Sequence, residues 1–483
     1  MKEIKEMLSF DDVLLKPHYS ECLPKEVSLK TNLTKNFEIN LPIISAGMDT
    51  VTEIDMAYAM AMNGGVGSIH KNLTITQQAN MISQIKKTIN GVCKWITTCD
   101  ANQTIGEIRN LILNEQKDDC IFVIENKKIK NLVTKGVLKN KNFSDNEKMG
   151  SIEMERALVS ASVKSSPKDL LNIMKNNNID YLPLFDENKK ICAVAKKRFL
   201  KHFVNTEDLI NLWNVSPKVF GAIGVTEDAM ERALKLHEAN VDGIIIDCAH
   251  GHSKKVLELT TKIKNTIPSV LLIVGNVVTK EGVRDLKNAG ADVVKVGIGP
   301  GSICTTRIIS GVGVPQFSAI LETVEEADKL KIKIIADGGI RTSGDIVKAL
   351  AAGACSVMIG SLVAGCDESP SSKVIFDNKT YKKYRGMGSI SAMEAGSRDR
   401  YGQEGQKKLV PEGIEGLIPY KGPLKEILFQ MSGGLRSGMG YLGARNLNEL
   451  KENAIFVKQT NIGLKESHSH SVIITSEQIN YSK

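Results

Sequence analysis

The sequence predicts a (β/α)8 barrel that is interrupted once by a separate inserted domain. Three observations support this: eight short apolar runs, helix-patterned stretches between most of them, and one long gap between residues 70 and 219. Continuous apolar runs are typical of parallel strands buried on both faces, and eight such strands alternating with helices close into a barrel. The predicted strands lie in residues 41–47, 64–70, 219–225, 241–250, 270–276, 291–299, 332–339 and 355–361.

The stretches between these runs have apolar residues at helical spacing, as in TEDAMERALKLHEAN (226–240). An open, doubly wound sheet is the alternative fold, and VGIGPGSICTTRII (296–309) is the most visible candidate for its dinucleotide fingerprint. Gly297 and Gly299 fit the first two glycines, but Ser302 occupies the third position. The barrel is therefore favoured over the dinucleotide-binding fold.

Two similar blocks fill the gap in strand spacing, at about residues 93–149 and 155–203. Each has the pattern of an extended segment, a helix, two strands joined by a turn, and the start of a helix. A duplicated unit of this kind buries its apolar face against its twin. We therefore predict a barrel made of residues 1–90 and 204–483, with an inserted domain at 91–203.

Composition limits the classes of function. The chain of 483 residues has 24% charged residues and a net charge of +8 from scattered lysines, without the concentrated basic face that nucleic-acid binding needs. Nine cysteines without a CxxC pair suit a reducing compartment. The N-terminal residues lack the apolar segment of a signal peptide, and no apolar run is long enough to span a bilayer. We expect a cytoplasmic protein with no nucleic-acid or membrane partner.

Glycine-rich turns follow predicted strands six, seven and eight, where a barrel of this kind carries its active site. DGGIRTSGDI (337–346) and GSLVAG (360–365) both place glycines and hydroxyls before a helix, which suits a phosphate. Cys304 follows strand six in the turn PGSIC, whose backbone N–H groups could stabilise a thiolate. Cys22 and Cys355 are interpreted as buried apolar residues.

A long polar, glycine-rich segment at residues 385–416 is the remaining candidate functional element. Such segments in compact domains are usually functional flaps or disordered. The pair Arg400–Tyr401 lies in its middle, so closure of a flap could bring an arginine to the reacting atoms.

An ordered set of motifs resembles the inosine-5′-monophosphate (IMP) dehydrogenase family, in its bacterial form. The insert resembles, more loosely, the tandem CBS (Bateman) pair of that family. The motifs are LSFDDVLLKP (8–17), PIISAGMDTVTE (42–53), GGVGSIHKN (64–72), DCAHGHS (247–253), GNVVT (275–279), VGIGPGSICTTR (296–307), ADGGIR (336–341), YRGMGS (384–389), DRY (399–401), LVPEGIEG (409–416) and GGLRSGMGY (433–441).

The resemblance implies the NAD-dependent oxidation of IMP to XMP, the committed step of guanine nucleotide synthesis. Cys304 would add to C2 of IMP, and loss of a hydride to NAD would leave a covalent thioimidate. The flap would then close and Arg400 would activate water, assisted by Tyr401 and Thr306. A free arginine side chain has a pKa above about 12, so this base is unusual.

The resemblance also assigns binding positions. A homotetramer is implied, with octamers possible through the CBS insert. The IMP positions are Met48, Ser302, Asp337, Gly339, Gly360, Ser361, Tyr384, Gly386, Met387, Gly388 and Glu412, and the NAD positions are Asp247, Ala249, Asn276, Gly297, Gly299 and Tyr441. A potassium ion would be held by carbonyl groups of Gly299, Gly301 and Cys304, completed by Glu466, Ser467 and His468 of a neighbouring subunit.

Two alternatives remain at this stage. GMP reductase shares the barrel, the cysteine turn and the phosphate loops, but was expected to lack both the CBS insert and a water-activating flap. A non-catalytic nucleotide-sensing CBS protein is the other, and the presence of Cys304, Thr306, Arg400 and Tyr401 argues against it. Gly402 follows the flap tyrosine where the family commonly has an aromatic residue, a departure that bears on flap closure.

The two blocks of the insert are expected to bind adenine or guanine nucleotides weakly or not at all. Nucleotide-binding CBS modules usually carry an aspartate for the ribose after the last strand, whereas these blocks read VTKGVL (133–138) and VAKKRFL (194–200). Calorimetric titration of the 91–204 fragment with ATP and GTP should give little heat. Tight binding of either nucleotide would contradict the prediction.

Overall fold

The computed structural model describes residues 4–94, 96–126, 128–140, 142–153, 158–203, 216–472, 474 and 479–481. It contains two compact units. The first comprises Met1–Asn72, Phe220–Leu234 and Asp242–Lys483, and the second comprises Leu73–Val219 and Lys235–Val241. The domain boundaries drawn from the sequence stay a prediction.

A closed barrel of eight parallel strands forms the centre of the first unit, which confirms the predicted fold class. Each strand coincides with one of the eight apolar runs. In chain order the strands are β1 (Ile43–Ser45), β2 (Val66–Ile69), β3 (Val219–Ile223), β4 (Gly243–Asp247), β5 (Leu271–Val277), β6 (Val293–Val296), β7 (Lys333–Asp337) and β8 (Ser356–Ile359). Pairing of Val357 in β8 with Ile43 in β1 is one of the registers that close the ring.

Alternate residues of the strands point into the barrel, where they form an apolar core. A hairpin made of Thr31–Thr34 and Phe37–Ile39 contributes Leu33 and Ile39 to the same core. Barrel interiors are packed cores of branched side chains and not pores, so binding is confined to the strand ends. Core members from the strands are Ile44, Val66, Phe220, Ile245, Leu271, Ile273, Val293, Ile335 and Met358.

Helices follow the strands in chain order, as the apolar spacing predicts. Several begin at a hydroxyl cap, for example where Thr342 Oγ1 accepts a hydrogen bond from the N–H of Asp345. The principal helices are α1 (Ile54–Met62), α2 (Ile75–Lys86), α3 (Ala229–Glu238), α4 (Lys254–Thr266), α5 (Lys280–Asn288), α6 (Gln316–Leu330), α7 (Ser343–Ala351) and α8 (Leu424–Tyr441). Shorter helices are Thr306–Ile309, Ser361–Ala364, Leu447–Glu452 and Asn461–Glu466.

A small antiparallel sheet anchors the segment that was predicted to be a flap. Lys379–Arg385 pairs with Lys373–Phe376 on one side and with Glu415–Pro419 on the other, so residues 386–414 leave and re-enter the sheet on neighbouring strands. The excursion folds into successive helical turns at Ile390–Ala392, Met393–Ser397 and Arg398–Tyr401. Elsewhere in the first unit, Val13–Leu15 pairs with Phe456–Lys458.

The second unit contains both blocks of the duplicated segment, and each block has the predicted element order. The first has strands Thr98–Asp100, Cys120–Glu125 and Lys128–Thr134 with helices Ile105–Arg109 and Lys135–Leu138. The second has strands Ala161–Ser162, Tyr181–Phe185 and Ile191–Lys196 with helices Pro167–Asn176 and Lys197–Leu200. Two short strands, Thr88–Ile89 and Val92–Cys93, extend the sheet of the second block. That the blocks are CBS modules stays a prediction.

A buried ion cluster joins the two blocks. Lys196 of the second block lies 2.7 Å from Asp118 and 3.1 Å from Asp119 of the first, and Arg198 pairs with Asp119 at 2.6 Å. Burial would raise the pKa of Asp119, but the two cations outweigh it and hold that pKa at about 2. Breaking such a cluster would leave uncompensated buried charge, so it fixes the blocks against each other.

None of the helices in the described part of the chain has the length and apolarity needed to cross a membrane.

Candidate active site

A cleft at the carboxyl ends of the barrel strands brings most of the predicted site residues together. It has a volume of about 140 Å³, and the barrel, the cysteine turn and the segment 386–414 all contribute to its wall. The predicted residues that line it are Met48, Asp247, Asn276, Gly297, Gly299, Gly301, Cys304, Asp337, Tyr384, Gly386, Met387, Gly388, Arg400, Tyr401 and Glu412.

Cys304 sits in a tight turn after β6, partly exposed to the cleft. Its N–H donates to the carbonyl of Gly301 at 3.1 Å, and its Sγ lies 3.2 Å from the hydroxyl of Thr306. Backbone bonds from Ile414 to Ile303 and from Thr305 to Glu412 tie the turn to the far end of the flap segment. The thiol is therefore held at a fixed place with a hydroxyl beside it.

The glycines before Cys304 permit a close approach of two chain segments. Gly297 has φ +144° and Gly299 has φ +81°, values that side chains rarely adopt. A Cβ on Gly297 would overlap the carbonyl oxygen of Asp337. Gly297, the first glycine of the candidate dinucleotide fingerprint, thus allows the chain after β6 to pack closely against the end of β7.

Lys295 lies at the centre of the cleft floor and was not identified from the sequence. Its side chain is 1% exposed, and its Nζ lies 2.8 Å from Asp247 and 2.6 Å from Asp337. It also donates to the side-chain oxygen of Asn276, whose amide donates in turn to Asp337 at 2.9 Å. These four polar groups come from the adjacent strands β4 to β7.

A signal for Lys295 was present in the sequence. Lys295 is two residues beyond Val293, which points into the barrel, and Asp247 and Asp337 stand in the same relation to Ile245 and Ile335. Because side chains alternate along a strand, all three charged residues continue the inward-facing series. The top layer of the barrel interior is therefore ionic where the lower layers are apolar.

Burial and pairing set the charge states of this layer. Burial alone would raise the pKa of Asp247, but Arg400 and Lys295 outweigh it and hold the pKa far below its ordinary value. For Lys295 the pair of carboxylates overcomes burial and raises the pKa. Asp247 and Lys295 are consequently both charged at neutral pH.

The flap segment occupies part of the cleft. Arg400 forms an ion pair with Asp247, and its backbone carbonyl accepts a hydrogen bond from the N–H of Ala249 at 3.2 Å. Tyr401 packs against Gly388, where a Cβ would collide with the phenol ring. Burial would lower the pKa of Arg400, but Asp247 raises it above its ordinary value, and burial raises the pKa of Tyr401 to about 12. This is a closed arrangement with both side chains protonated.

The two predicted phosphate loops lie at the ends of β7 and β8. Gly339 has φ +79° directly after β7, and Gly360 follows β8 as the cap of the short helix that begins at Ser361. Gly360 lies against the hydroxyl of Tyr384, whose oxygen is 4.0 Å from Sδ of Met48. Burial raises the pKa of Tyr384 to about 12, so its hydroxyl stays a donor.

Ten predicted residues are not among those that line the cleft of the same chain: Ala249, Ser302, Thr306, Gly339, Gly360, Ser361, Tyr441, Glu466, Ser467 and His468. Tyr441 is 69% exposed at the end of α8. Glu466, Ser467 and His468 close the helix Asn461–Glu466, where His468 approaches the hydroxyl of Tyr481 at 3.3 Å. That Glu466, Ser467 and His468 complete a neighbouring subunit's site, and that Tyr441 contacts NAD, stay predictions.

The sequence matches the family described as "IMP dehydrogenase / GMP reductase domain" over residues 7–470. The chain belongs to this family. An inosine-5′-monophosphate dehydrogenase of Bacillus subtilis (strain 168) is 48% identical over 99% of this chain and 98% of its own length. The enzyme of the same name from Aquifex aeolicus (strain VF5) is 47% identical with the same coverage. The predicted resemblance to bacterial IMP dehydrogenase is confirmed.

A solved structure adds a correction within the IMP dehydrogenase / GMP reductase family. The crystal structure of a GMP reductase variant from Trypanosoma brucei in complex with guanosine 5′-monophosphate aligns with a TM-score of 0.73 and 34% identity. The alignment covers 97% of this chain and 99% of that chain, so that reductase includes a counterpart of the insert. The expectation that an insert separates dehydrogenases from reductases is therefore wrong. What favours a dehydrogenase over a reductase is the 47–48% identity to the two dehydrogenases over almost the full length of the chain.

Replacing Lys295 with methionine is expected to destabilise the barrel, because the largely buried carboxylates of Asp247 and Asp337 lose their shared cation. The free energy of unfolding should fall by about 3–5 kcal/mol, measured by urea denaturation. Lys287→Met, at an exposed position on α5, is the matched control and should change it by less than about 0.5 kcal/mol. Equal stability of the two variants would contradict the structural role given to Lys295.

Proposed function

We propose that the chain oxidises IMP to XMP with NAD as the oxidant, using Cys304 as a covalent nucleophile. The observation that carries the proposal is the convergence of Cys304, Asp337 and Arg400 on one cleft at the carboxyl end of the barrel. The overall reaction consumes IMP, NAD and water and yields XMP, NADH and a proton.

The first half of the proposed reaction uses the cysteine turn. The thiolate of Cys304 adds to C2 of the purine, and the hydride lost from C2 leaves a thioimidate between C2 and sulfur. NAD, when bound, accepts that hydride. The hydroxyl of Thr306, 3.2 Å from Sγ, would orient the thiol.

IMP would be held at its ribose and its phosphate. One carboxylate oxygen of Asp337 accepts hydrogen bonds from Lys295 and Asn276, which leaves the other to accept from the ribose hydroxyls. Gly339, Gly360, Ser361, Ser302 and Tyr384 would bind the phosphate, and the base would lie against the cysteine turn. The further predicted contacts are Met48, Gly386, Met387, Gly388 and Glu412.

The second half is hydrolysis of the thioimidate. Water adds to C2, its proton passes to a base, and the C2–S bond breaks to release XMP and the thiolate. The family resemblance gives the base role to Arg400, with Tyr401 assisting. In the closed arrangement Asp247 favours the protonated guanidinium, so the base role needs this ion pair to loosen when the intermediate fills the cleft.

Asp247 and Asn276 would bind NAD on the side of the cleft that Arg400 occupies in the closed state. The residues fit this use: among the described residues Asp247 pairs with Lys295 and Arg400, so withdrawal of the flap would leave one of its oxygens able to accept from a cofactor hydroxyl or amide. Ala249, Gly297 and Gly299 complete the set, together with Tyr441 at the adenosine end. Cofactor and closed flap would then exclude each other.

A potassium ion would suit the cysteine turn. Within the described residues, the carbonyl oxygens of Gly299 and Cys304 accept no hydrogen bond, and carbonyl groups are the ligands that such a cation uses. Gly301 would add a third carbonyl. Glu466, Ser467 and His468 of a neighbouring subunit would complete the site, which implies a homotetramer. Such tetramers would be able to pair into octamers through the insert, and the proposed enzyme acts in the cytoplasm.

Purified protein mixed with IMP and NAD should produce NADH, and the absorbance of NADH measures the rate. The rate should be higher in potassium than in sodium at equal ionic strength, because the cation would order the turn that holds Cys304. Consumption of NADPH with GMP in place of this activity would indicate a reductase instead, and no reaction in either assay would overturn the proposed activity.

Cys304→Ala should abolish turnover and leave IMP binding largely intact, because the thiol is needed for the covalent step and not for the ribose and phosphate contacts. Steady-state assays and calorimetric titration with IMP would measure the two quantities. Cys22→Ala, at a buried position outside the cleft, is the matched control. Turnover of Cys304→Ala near the wild-type rate would remove Cys304 from the mechanism.

A further inference from the structure

The flap carries a second buried ion pair that the proposed chemistry does not use. Asp399, the residue before Arg400, pairs with Lys71, which follows strand β2. Lys71 is 8% exposed and Asp399 is 9% exposed. Lys71 also donates to the backbone carbonyl of Gly396 at 3.3 Å, and the next residue, Asn72, donates to the carbonyl of Ala392 at 3.3 Å.

The Asp399 carboxylate packs directly against the backbone of Gly224, a contact site that we call its seat. It follows β3, and a Cβ built on it would overlap Oδ2 of Asp399 and come within 3.0 Å of the Lys71 Nζ. Gly224 is not one of the positive-φ glycines, so its backbone conformation would tolerate alanine. The flap, and not the local backbone, is what requires glycine here.

The environment of this pair makes it depend on the closed state. Burial lowers the pKa of Lys71, and Asp399 opposes that shift, so each charge is tolerated because the other is present. Oδ2 of Asp399 accepts no hydrogen bond from the part of the chain that the structure describes, and it packs against the bare Cα of Gly224. A flap that moves away would separate the pair and open its seat.

We propose that Lys71, Asp399 and Gly224 form a latch that holds the flap in the cleft and positions Arg400 for hydrolysis of the thioimidate. The latch sets the register of the flap, because Asp399 docks on the β2 and β3 ends while its neighbour Arg400 reaches Asp247 at the end of β4. Lys71, Asp399 and Gly224 are positioning residues, and none of them is among the residues that line the cleft. This inference rests on the proposed function.

Measuring the two half-reactions separately distinguishes the latch from a general structural role. Hydride loss from C2 precedes flap closure, whereas hydrolysis requires it, so latch variants should retain the first and lose the second. Rapid mixing with IMP and NAD should give Gly224→Ala an initial burst of NADH of wild-type rate and a steady-state rate lower by roughly tenfold or more, as for loss of a buried ionic contact. Mass spectrometry during turnover should show the thioimidate accumulating on Cys304.

Gly433→Ala is the matched control, because a Cβ at that exposed position on α8 meets no atom within 4 Å. It should change neither the burst nor the steady-state rate. Gly224→Ala removes no charge and should leave the burst intact, so a loss confined to hydrolysis cannot come from misfolding.

A double-mutant cycle tests the ion pair itself. Lys71→Met and Asp399→Asn should each slow hydrolysis, and the double variant should be no slower than the worse single one, because both remove the same interaction. Wild-type hydrolysis by Gly224→Ala, additive effects in the cycle, or an equal fall of burst and steady state would each overturn the latch. Absence of NADH from the wild type would instead mean that the proposed function fails.

Discussion

One buried lysine organises the cleft. Lys295 points into the barrel from β6 and neutralises Asp247 and Asp337 from the strands around it. Without it, two carboxylates would share a water-poor layer, a situation that burial and mutual repulsion make costly. With it, only one oxygen of Asp337 accepts hydrogen bonds from the described residues, and the other is the proposed ribose contact, while the second oxygen of Asp247 binds the flap. Both sides of the cleft therefore depend on a single cation.

Asp247 links that layer to the conformation of the flap. Its second oxygen binds Arg400 in the closed state, and the same carboxylate is a predicted contact for the cofactor. If the cofactor and the flap bind this carboxylate in turn, as proposed, the flap can close only after the cofactor has left. The Lys295 contact would hold the carboxylate in place during that exchange.

The flap is anchored at both ends and contacts the cleft through a few specific residues between them. Its ends are paired strands of one antiparallel sheet, and Arg385 at the near end binds Asp49 through two hydrogen bonds of 2.6 and 3.1 Å. Between the anchors, short helical turns present Asp399, Arg400 and Tyr401 in succession. Buried Met387, Ala392 and Met393 pack this segment against the barrel, and its ion pairs and close glycine contacts fix the positions of Asp399, Arg400 and Tyr401.

The sequence by itself determined the barrel, its eight strands, the duplicated insert pattern and the place of Cys304, because these depend on local periodicity and on which residues follow a strand. It also placed Arg400 and Tyr401 on one excursion. Only the tertiary structure decided that Lys295, Asp247 and Asp337 meet, and that Lys71 receives Asp399 above Gly224. These partners are distant in the chain. Burying a charge is costly unless its counter-charge lies in contact with it, and here the packing of neighbouring strands brings the two together. The same holds for the glycines. Their positions are visible in the sequence, but which side chain packs against each of them, such as Asp399 against Gly224 and Tyr401 against Gly388, is known only from the folded structure.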